Sequence, residues 1–331
     1  MGLYLGLDTS NYTTSAALYN SATGEMLSEK LMLPVKPGER GIRQSNAVFH
    51  HTKQLPTVVK RLFDRVRENA VWAASTEANS PEAAFVKAIA SSVCPRDTEG
   101  SYMPCFLCGE GLGECMAAAG GYPFYKLSHQ TGHILAAVFS ADRLGMLQAP
   151  FIAFHVSGGT TDCLLCSPDP DNIIKIEEIS SSLDLKAGQL IDRAGVMMGL
   201  TFPCGIALEK LSEKADKQFK IRPVIKNGSC CLSGYENEVK KLIEKGEAPE
   251  NTARFVLDAV EENIAFMTEA ALDNYGNLPV IFAGGVMSNK YIGGKLKKRF
   301  DSRTQIYFGE AEYSRDNAAG AAMFAYLKSG G

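Results

Sequence analysis

A chain of 331 residues, 45% of them hydrophobic, is long enough to bury substantial cores, and its length points to two domains. A formal net charge of -3 excludes a globally basic nucleic-acid binder, so any nucleic acid must be met by a local basic patch or through a partner protein. No apolar run approaches the roughly 20 residues of a membrane span. The opening MGLYLGLDTS has neither a basic n-region nor a cleavage pattern, so the expected home is the cytoplasm, away from membranes.

In chain order, residues 3–8 alternate into a short strand, 9–15 form a hydroxyl-rich turn and 16–19 a returning strand, with a turn at 20–24. Residues 33–41 carry two prolines and two glycines and read as a loop. Helical spacing runs over 45–67, where Pro56 is expected to start or break the helix, and where His50 and His51 point in two directions as solvated or capping residues. A buried strand is expected at 85–93, a polar loop at 94–104, a helix at 105–119, a strand at 122–127 and a helix at 128–141. On that last helix His129 and His133 stand at i and i+4, on one face, where two imidazoles can share a cation. Position 130 is Gln, so the metalloprotease version with its glutamate base is absent.

Nine cysteines, an odd number with several inside apolar runs, suit reduced buried thiols better than a disulfide framework. Cys105-Phe-Leu-Cys108, with Cys94 and Cys115 nearby, has the spacing of half a zinc or iron–sulfur site or of a redox pair. No second pair completes it, and structural thiols are the expectation.

The stretch Phe151–Cys166 is the most informative: an apolar strand, the turn Ser157-Gly158-Gly159-Thr160-Thr161, and a second apolar strand. A turn nearly free of side chains lets backbone N–H groups approach a phosphate as an anion nest, with Ser157 and Thr160 adding hydroxyls. The same strand, hydroxyl-rich turn and strand stand about 150 residues earlier, one domain length, which points to an internal duplication of one α/β unit with the two hairpins facing each other. Residues 184–199 read as a helix carrying Asp192, followed by a turn ending at Gly205. Residues 210–226 and 238–249 are charged and expected to be solvated, and 252–275 form a long amphipathic helix. Gly284 and Gly285 then close an apolar strand and open a helix at Asn289, a place where a purine or ribose can lie against bare backbone. A strand at 306–308 precedes a small-residue helix through 327, for which Asp316 is either the N-cap or a third metal ligand beside His129 and His133.

The order of Asp8-Thr-Ser, His129-x-x-x-His133, Val156-Ser-Gly-Gly159, Gly188…Asp192-Arg, Phe202-Pro-x-Gly205, Ala283-Gly-Gly-Val…Asn289 and Asp316-Asn-Ala-Ala resembles the tRNA threonylcarbamoyladenosine synthases, once called O-sialoglycoprotein endopeptidases or glycoproteases. The resemblance spans nearly the whole chain. It implies an α/β, duplicated actin/Hsp70/hexokinase-like (ribonuclease H-like) two-domain fold with a nucleotide cleft between the domains. A first domain at 1–127, joined by the C-terminal helix 317–331, and a second at 128–316 are expected. His129, His133 and Asp316 would hold one divalent metal ion, iron or zinc. Val156, Ser157, Gly158 and Gly159 would cradle phosphate, Asp192 and Gly205 would meet the ribose side and Asn289 the adenylate, with His155, Thr160, Gly284 and Gly285 also binding nucleotide or substrate. Asp8, Ser10 and Thr13 fall at catalytic positions of the first hairpin. The implied substrates are an ATP/AMP-type adenine nucleotide or carbamoyl-adenylate and the N6 amine of a tRNA adenosine near the anticodon, with a paralogous subunit as a further partner.

Departures mark the chain as a divergent paralogue. The family's acidic pair is replaced by Tyr12 and Thr13, its Ser-Gly-Gly-His by a turn ending at Thr160, a Glu beside Gly188 by Gln189, and its Gly-Pro-Gly-Leu segment by residues 94–104. Two readings stand against each other: a carbamoyl-type transferase, and a non-catalytic ATP- and metal-binding platform that regulates a partner enzyme. Peptidase action rests on historical naming alone. A sugar-kinase-like phosphotransferase shares the fold without a candidate base.

Overall fold

The computed structural model describes residues 2–10, 12–34, 42–69, 71–72, 86–313 and 318–331. It divides into two compact units: Met1–Ser140 with Asp169–Ile174 and Arg315–Gly331, and Ala141–Pro168 with Lys175–Ser314.

The first unit is built on a five-stranded sheet in the order β3-β2-β1-β4-β5. β1 (Leu3–Asp8), β2 (Thr13–Asn20) and β3 (Glu25–Met32) form an antiparallel meander, and β4 (Val86–Cys94) and β5 (Phe124–Ser128) add in parallel beside β1. All six residues of β1 are buried, as expected for a central strand covered on both faces. Leu3, Leu5 and Leu7 pack with Ala16, Leu18, Ile89 and, from α1 (Gln44–Glu68), Val58, Leu62 and Val66. α2 (Phe106–Gly120) and α3 (His129–Ser140) follow β4 and β5. The last helix of the chain, α9 (Ala318–Lys328), packs on β1 and α3. Its small residues are what the position demands. A Cβ at Gly6 would lie 2.1 Å from the Ala318 carbonyl oxygen, and one at Gly320 only 1.8 Å from that of Gly132.

The second unit repeats the plan. Its sheet runs β12-β11-β6-β7-β8. β6 (Phe151–Val156) pairs antiparallel with β7 (Thr161–Asp169), β8 (Ile173–Ser181) lies outside β7, and β11 (Val280–Ala283) and β12 (Ile306–Phe308) add in parallel on the other side of β6, while β9 (Ile225–Lys226) and β10 (Ser229–Cys230) pair as a separate ribbon. Numbered within each unit, both sheets read 3-2-1-4-5, so the duplication inferred from two hairpins extends to the whole sheet. Its core joins β6 and β11 to α4 (Ala187–Met197), α5 (Gly205–Ser212), α6 (Ser233–Glu244), α7 (Pro249–Tyr275) and α8 (Lys290–Phe300).

Four expectations change. α1 runs unbroken through Pro56. That residue faces solvent, where the carbonyl deprived of its partner meets water, while Ala47, His51, Leu55, Val58 and Leu62 keep the opposite face buried. His51 is completely buried, not solvated. The charged stretch at 238–249 is largely helix α6, amphipathic around Tyr235 and Val239. The boundary between units falls after Ser140 rather than after residue 127, because α3 packs against α9, β4 and β5. Among the described residues no helix is long and apolar enough to cross a membrane.

Candidate functional site

β1 ends on Asp8, a carboxylate only 2% exposed. Its Oδ1 lies 3.0 Å from His129 Nδ1, and its Oδ2 accepts the Ser10 hydroxyl at 2.7 Å. Burial by itself would raise this carboxyl, but the neighbouring imidazole and the Ser10 hydroxyl outweigh it and hold the group below the usual range for Asp. An ionised Asp8 accepts, so His129 donates from Nδ1, which leaves Nε2 as the ring nitrogen that can ligate. Thr13 N–H donates to the Ser10 carbonyl at 3.0 Å, closing the turn and placing Thr13 half-buried at the start of β2.

His133 stands one turn further along α3, and the two imidazole centroids are 4.7 Å apart at 69°. Both rings are partly exposed. The Phe106 ring meets His129 edge-on at 5.8 Å. The start of α3 is held by a residue that sequence reasoning missed. Asp97, from the loop at 94–104, accepts from the Ser128 hydroxyl at 2.7 Å and the Thr131 hydroxyl at 3.0 Å, while Gln130 N–H reaches the Pro95 carbonyl at 3.1 Å. Only the Ser128-x-x-Thr131 spacing signalled a cap there; the acidic partner is unrelated in sequence.

Asp316 lies outside the described residues, and among those described no three His, Cys, Asp or Glu side chains gather into a metal-holding group. The donor set that is described suits a divalent cation. Two imidazoles sit one turn apart on one helix face, and one is oriented through Nδ1 by a buried carboxylate, the outer-shell arrangement typical of histidine ligands.

In the second unit the turn after β6 is exposed and open. Ser157 Oγ accepts from the N–H groups of Gly159 and Thr160 at 3.2 Å each, so two amides converge on one oxygen as in an anion nest. The turn is fixed from below by α4. Gly188 N–H donates to the Ser157 carbonyl at 3.2 Å, and Ala187 N–H to the Thr161 hydroxyl at 2.9 Å. A side chain at 188 would strike the backbone of Gly158 at 2.7 Å, so glycine is required there. His155 and Val156 lie buried in β6, His155 opposite Asp162.

Gly284 and Gly285 follow β11, which runs parallel to β6, so both glycine turns stand at the carboxyl end of the same sheet. Gly284 has φ +99, and a Cβ on it would meet the Val156 carbonyl oxygen at 2.3 Å. Asn289 caps α8 by accepting from Ile292 N–H at 3.0 Å. Asp192 holds the turn before α5 by accepting from Cys204 N–H at 2.8 Å; burial raises its carboxyl above the ordinary range despite that bond. Gly205 opens α5 directly after this turn. In the first unit Asp8 thus links Ser10 to His129, with Thr13 closing the turn and His133 beside His129; in the second, Gly284 packs on Val156 just before the Ser157–Thr160 turn, Asp192 holds the turn that leads into Gly205, and Asn289 caps α8.

The sheet order and glycine turns define a duplicated α/β protein of the actin/Hsp70/sugar-kinase class. The fold matches component A of the Acidaminococcus fermentans (R)-2-hydroxyglutaryl-CoA dehydratase with a TM-score of 0.54 at 14% identity, covering all of both chains. It matches HypF of T. kodakarensis with a TM-score of 0.61 at 12% identity, over 99% of this chain and 48% of that one. In sequence, residues 34–323 match the family model described as TsaD, tRNA N6-adenosine threonylcarbamoyltransferase, and the chain belongs to that family. Among its relatives, the tRNA N6-adenosine threonylcarbamoyltransferase of Bacillus licheniformis is 28% identical over 91% of this chain and 84% of its own length. That of Aromatoleum aromaticum is 26% identical over 98% and 91%.

Proposed function

We propose that the chain is a metal-dependent transferase acting in the cytoplasm, which moves a threonylcarbamoyl group from its adenylate to the N6 amine of a tRNA adenosine. The observation that carries this reading, beyond family membership, is the buried Asp8 fixing His129 3.0 Å away, with His133 one turn on. His129 and His133 hold an iron or zinc ion, with Asp316 as third ligand; in support, the helix that follows Asp316 presses Gly320 against Gly132, the neighbour of His133. A metal bound there supplies Lewis-acid polarisation to an acyl oxygen.

The second unit binds the nucleotide. With the Ser157 hydroxyl rotated off them, the N–H groups of Gly159 and Thr160 take the phosphate, and the second oxygen of Asp192 takes a ribose hydroxyl beside Gly205. The bare backbone of Gly284 and Gly285, ahead of Asn289, admits the adenine. Ser10 and Thr13 orient the acyl group. The amine nitrogen bonds to the carbamoyl carbon, the bond from that carbon to the phosphate oxygen breaks, and AMP leaves with the charge held by the turn amides. The amine's proton passes to solvent, since Asp8 is already committed to His129 and Ser10. A local basic patch or a paralogous subunit brings the tRNA.

The test combines the purified chain with an enzyme that forms threonylcarbamoyl-adenylate, ATP, threonine, bicarbonate and unmodified tRNA, and reads nucleosides by mass spectrometry. Modified adenosine is the expected product. Nucleotide binding with no modified adenosine on any tRNA would overturn the transferase and leave the regulatory platform, which Tyr12 and Thr13 in place of an acidic pair favour.

A further inference from the structure

We propose that Cys105 and Cys108 are a reversible disulfide site whose oxidation state is read by the Asp8–His129 pair. Cys105 caps α2 and Cys108 lies in its first turn, with Cys108 N–H donating to the Cys105 carbonyl at 3.3 Å. An i to i+3 turn of this kind brings the two Cα atoms to about 5–6 Å, the separation a disulfide spans. The two thiols differ in access. Cys105 is fully buried against Leu33, Ala47 and Phe106, whereas Cys108 is half-buried beside the Val48 carbonyl and the Thr52 hydroxyl. That division suits an accessible thiol that attacks first and a buried one that resolves.

The turn touches the first-unit site at two points. Thr9, between Asp8 and Ser10, donates its hydroxyl to the Cys105 carbonyl at 2.8 Å and accepts from Gly109 N–H at 3.1 Å, straddling the two cysteines. Phe106, directly after Cys105 in the chain, packs its ring edge-on to His129. The approach is close: a Cβ at Gly109 would lie 2.9 Å from Ser91 Oγ and 3.1 Å from Thr9 Oγ1. A disulfide that tightens the turn therefore moves the Cys105 carbonyl and the Phe106 ring, and with them the hydrogen bond of Thr9 and the wall beside His129.

The oxidant is a small-molecule disulfide. Cys108 thiolate attacks it, forming a mixed disulfide and releasing one thiol; Cys105 thiolate then attacks the Cys108 sulfur and releases the second. The protein dithiol loses two electrons and two protons, and the small disulfide is reduced to two thiols.

The full-length protein equilibrated in glutathione buffers of increasing oxidised fraction, quenched by alkylation and mapped by mass spectrometry, should lose alkylation at Cys105 and Cys108 together as an intramolecular link. In histidine-selective NMR spectra the His129 ring resonances should shift in step and return with excess dithiol. Cys108→Ser should abolish the link and the shift, while Cys115→Ser preserves both. The wild-type titration decides even where a variant folds poorly. Alkylation of both thiols at every ratio would overturn the site, and a disulfide that leaves His129 unmoved would overturn the readout.

Discussion

Asp8 Oδ1 and His129 Nδ1 lie 3.0 Å apart although 121 positions separate them in the chain. The end of the first strand thereby sets the orientation of a ring delivered by the fifth. Asp8→Asn keeps the volume but removes the charge, so the imidazole loses its fixed tautomer. Zinc affinity of the proposed histidine site, measured by titration with a competing chelator, should fall about 10- to 100-fold, with thermal unfolding little changed. Retained metal affinity would show that Asp8 has no part in positioning His129.

His51 gives a pH dependence with a definite sign. Its Nδ1 donates to Thr14 Oγ1 at 2.8 Å, whose own hydroxyl donates to Gln54, and burial pushes the ring down to about 4 against an opposing pull from Asp8. Unfolded histidine takes a proton below about 6.5, the folded one only below about 4. Between those values the unfolded chain binds more protons, so this group's share of stability is complete above the window and declines as pH falls through it. Urea unfolding should lose about 2 kcal/mol from this source between pH 7 and 5, and His51→Gln should show a correspondingly shallower slope.

Asp97 should matter more than its place in an irregular loop suggests. Asp97→Ala strips Ser128 and Thr131 of their shared acceptor and should cost about 1 kcal/mol, the scale of a helix cap. It should also weaken metal binding at the histidine pair, whereas Asp97→Asn recovers most of the stability. Equal metal binding in Asp97→Ala and wild type would separate the cap from the site.

Gly6 is the tightest point between β1 and α9. Gly6→Val drives a branched side chain into the backbone of Ala318 and Ala322, and should destabilise the chain by about 3 kcal/mol. Gly158→Ala, whose added carbon meets nothing within 4 Å, should leave stability unchanged in the same urea titration.

Legibility in the sequence followed how local the signal was. The two hairpins, the histidine helix and the glycine turn at 284–285 announce themselves through short patterns of turn residues beside apolar strands. β3 and β8 did not. They are edge strands, half-exposed, so Glu25–Met32 and Ile173–Ser181 mix charged and apolar residues without clean alternation. Pro56 misled because propensity reports the isolated helix, while the buried face of α1 decides the folded one. Asp97 and the buried state of His51 depend on partners 31 and 37 residues away, and no spacing rule reaches that far. The pairing of His129 and His133 on one helix face was legible; the alignment of His129 by Asp8 was not.

The first unit is discontinuous, with α9 returning to β1 and α3 after the whole of the second. During synthesis, residues 3–140 leave the ribosome with one face of their sheet uncovered, and they wait for residues 318–328 before that face can close. The second unit has nearly all of its chain in hand by then and can fold while the first is still open. On a growing polypeptide, the histidine helix gains its final support last of all.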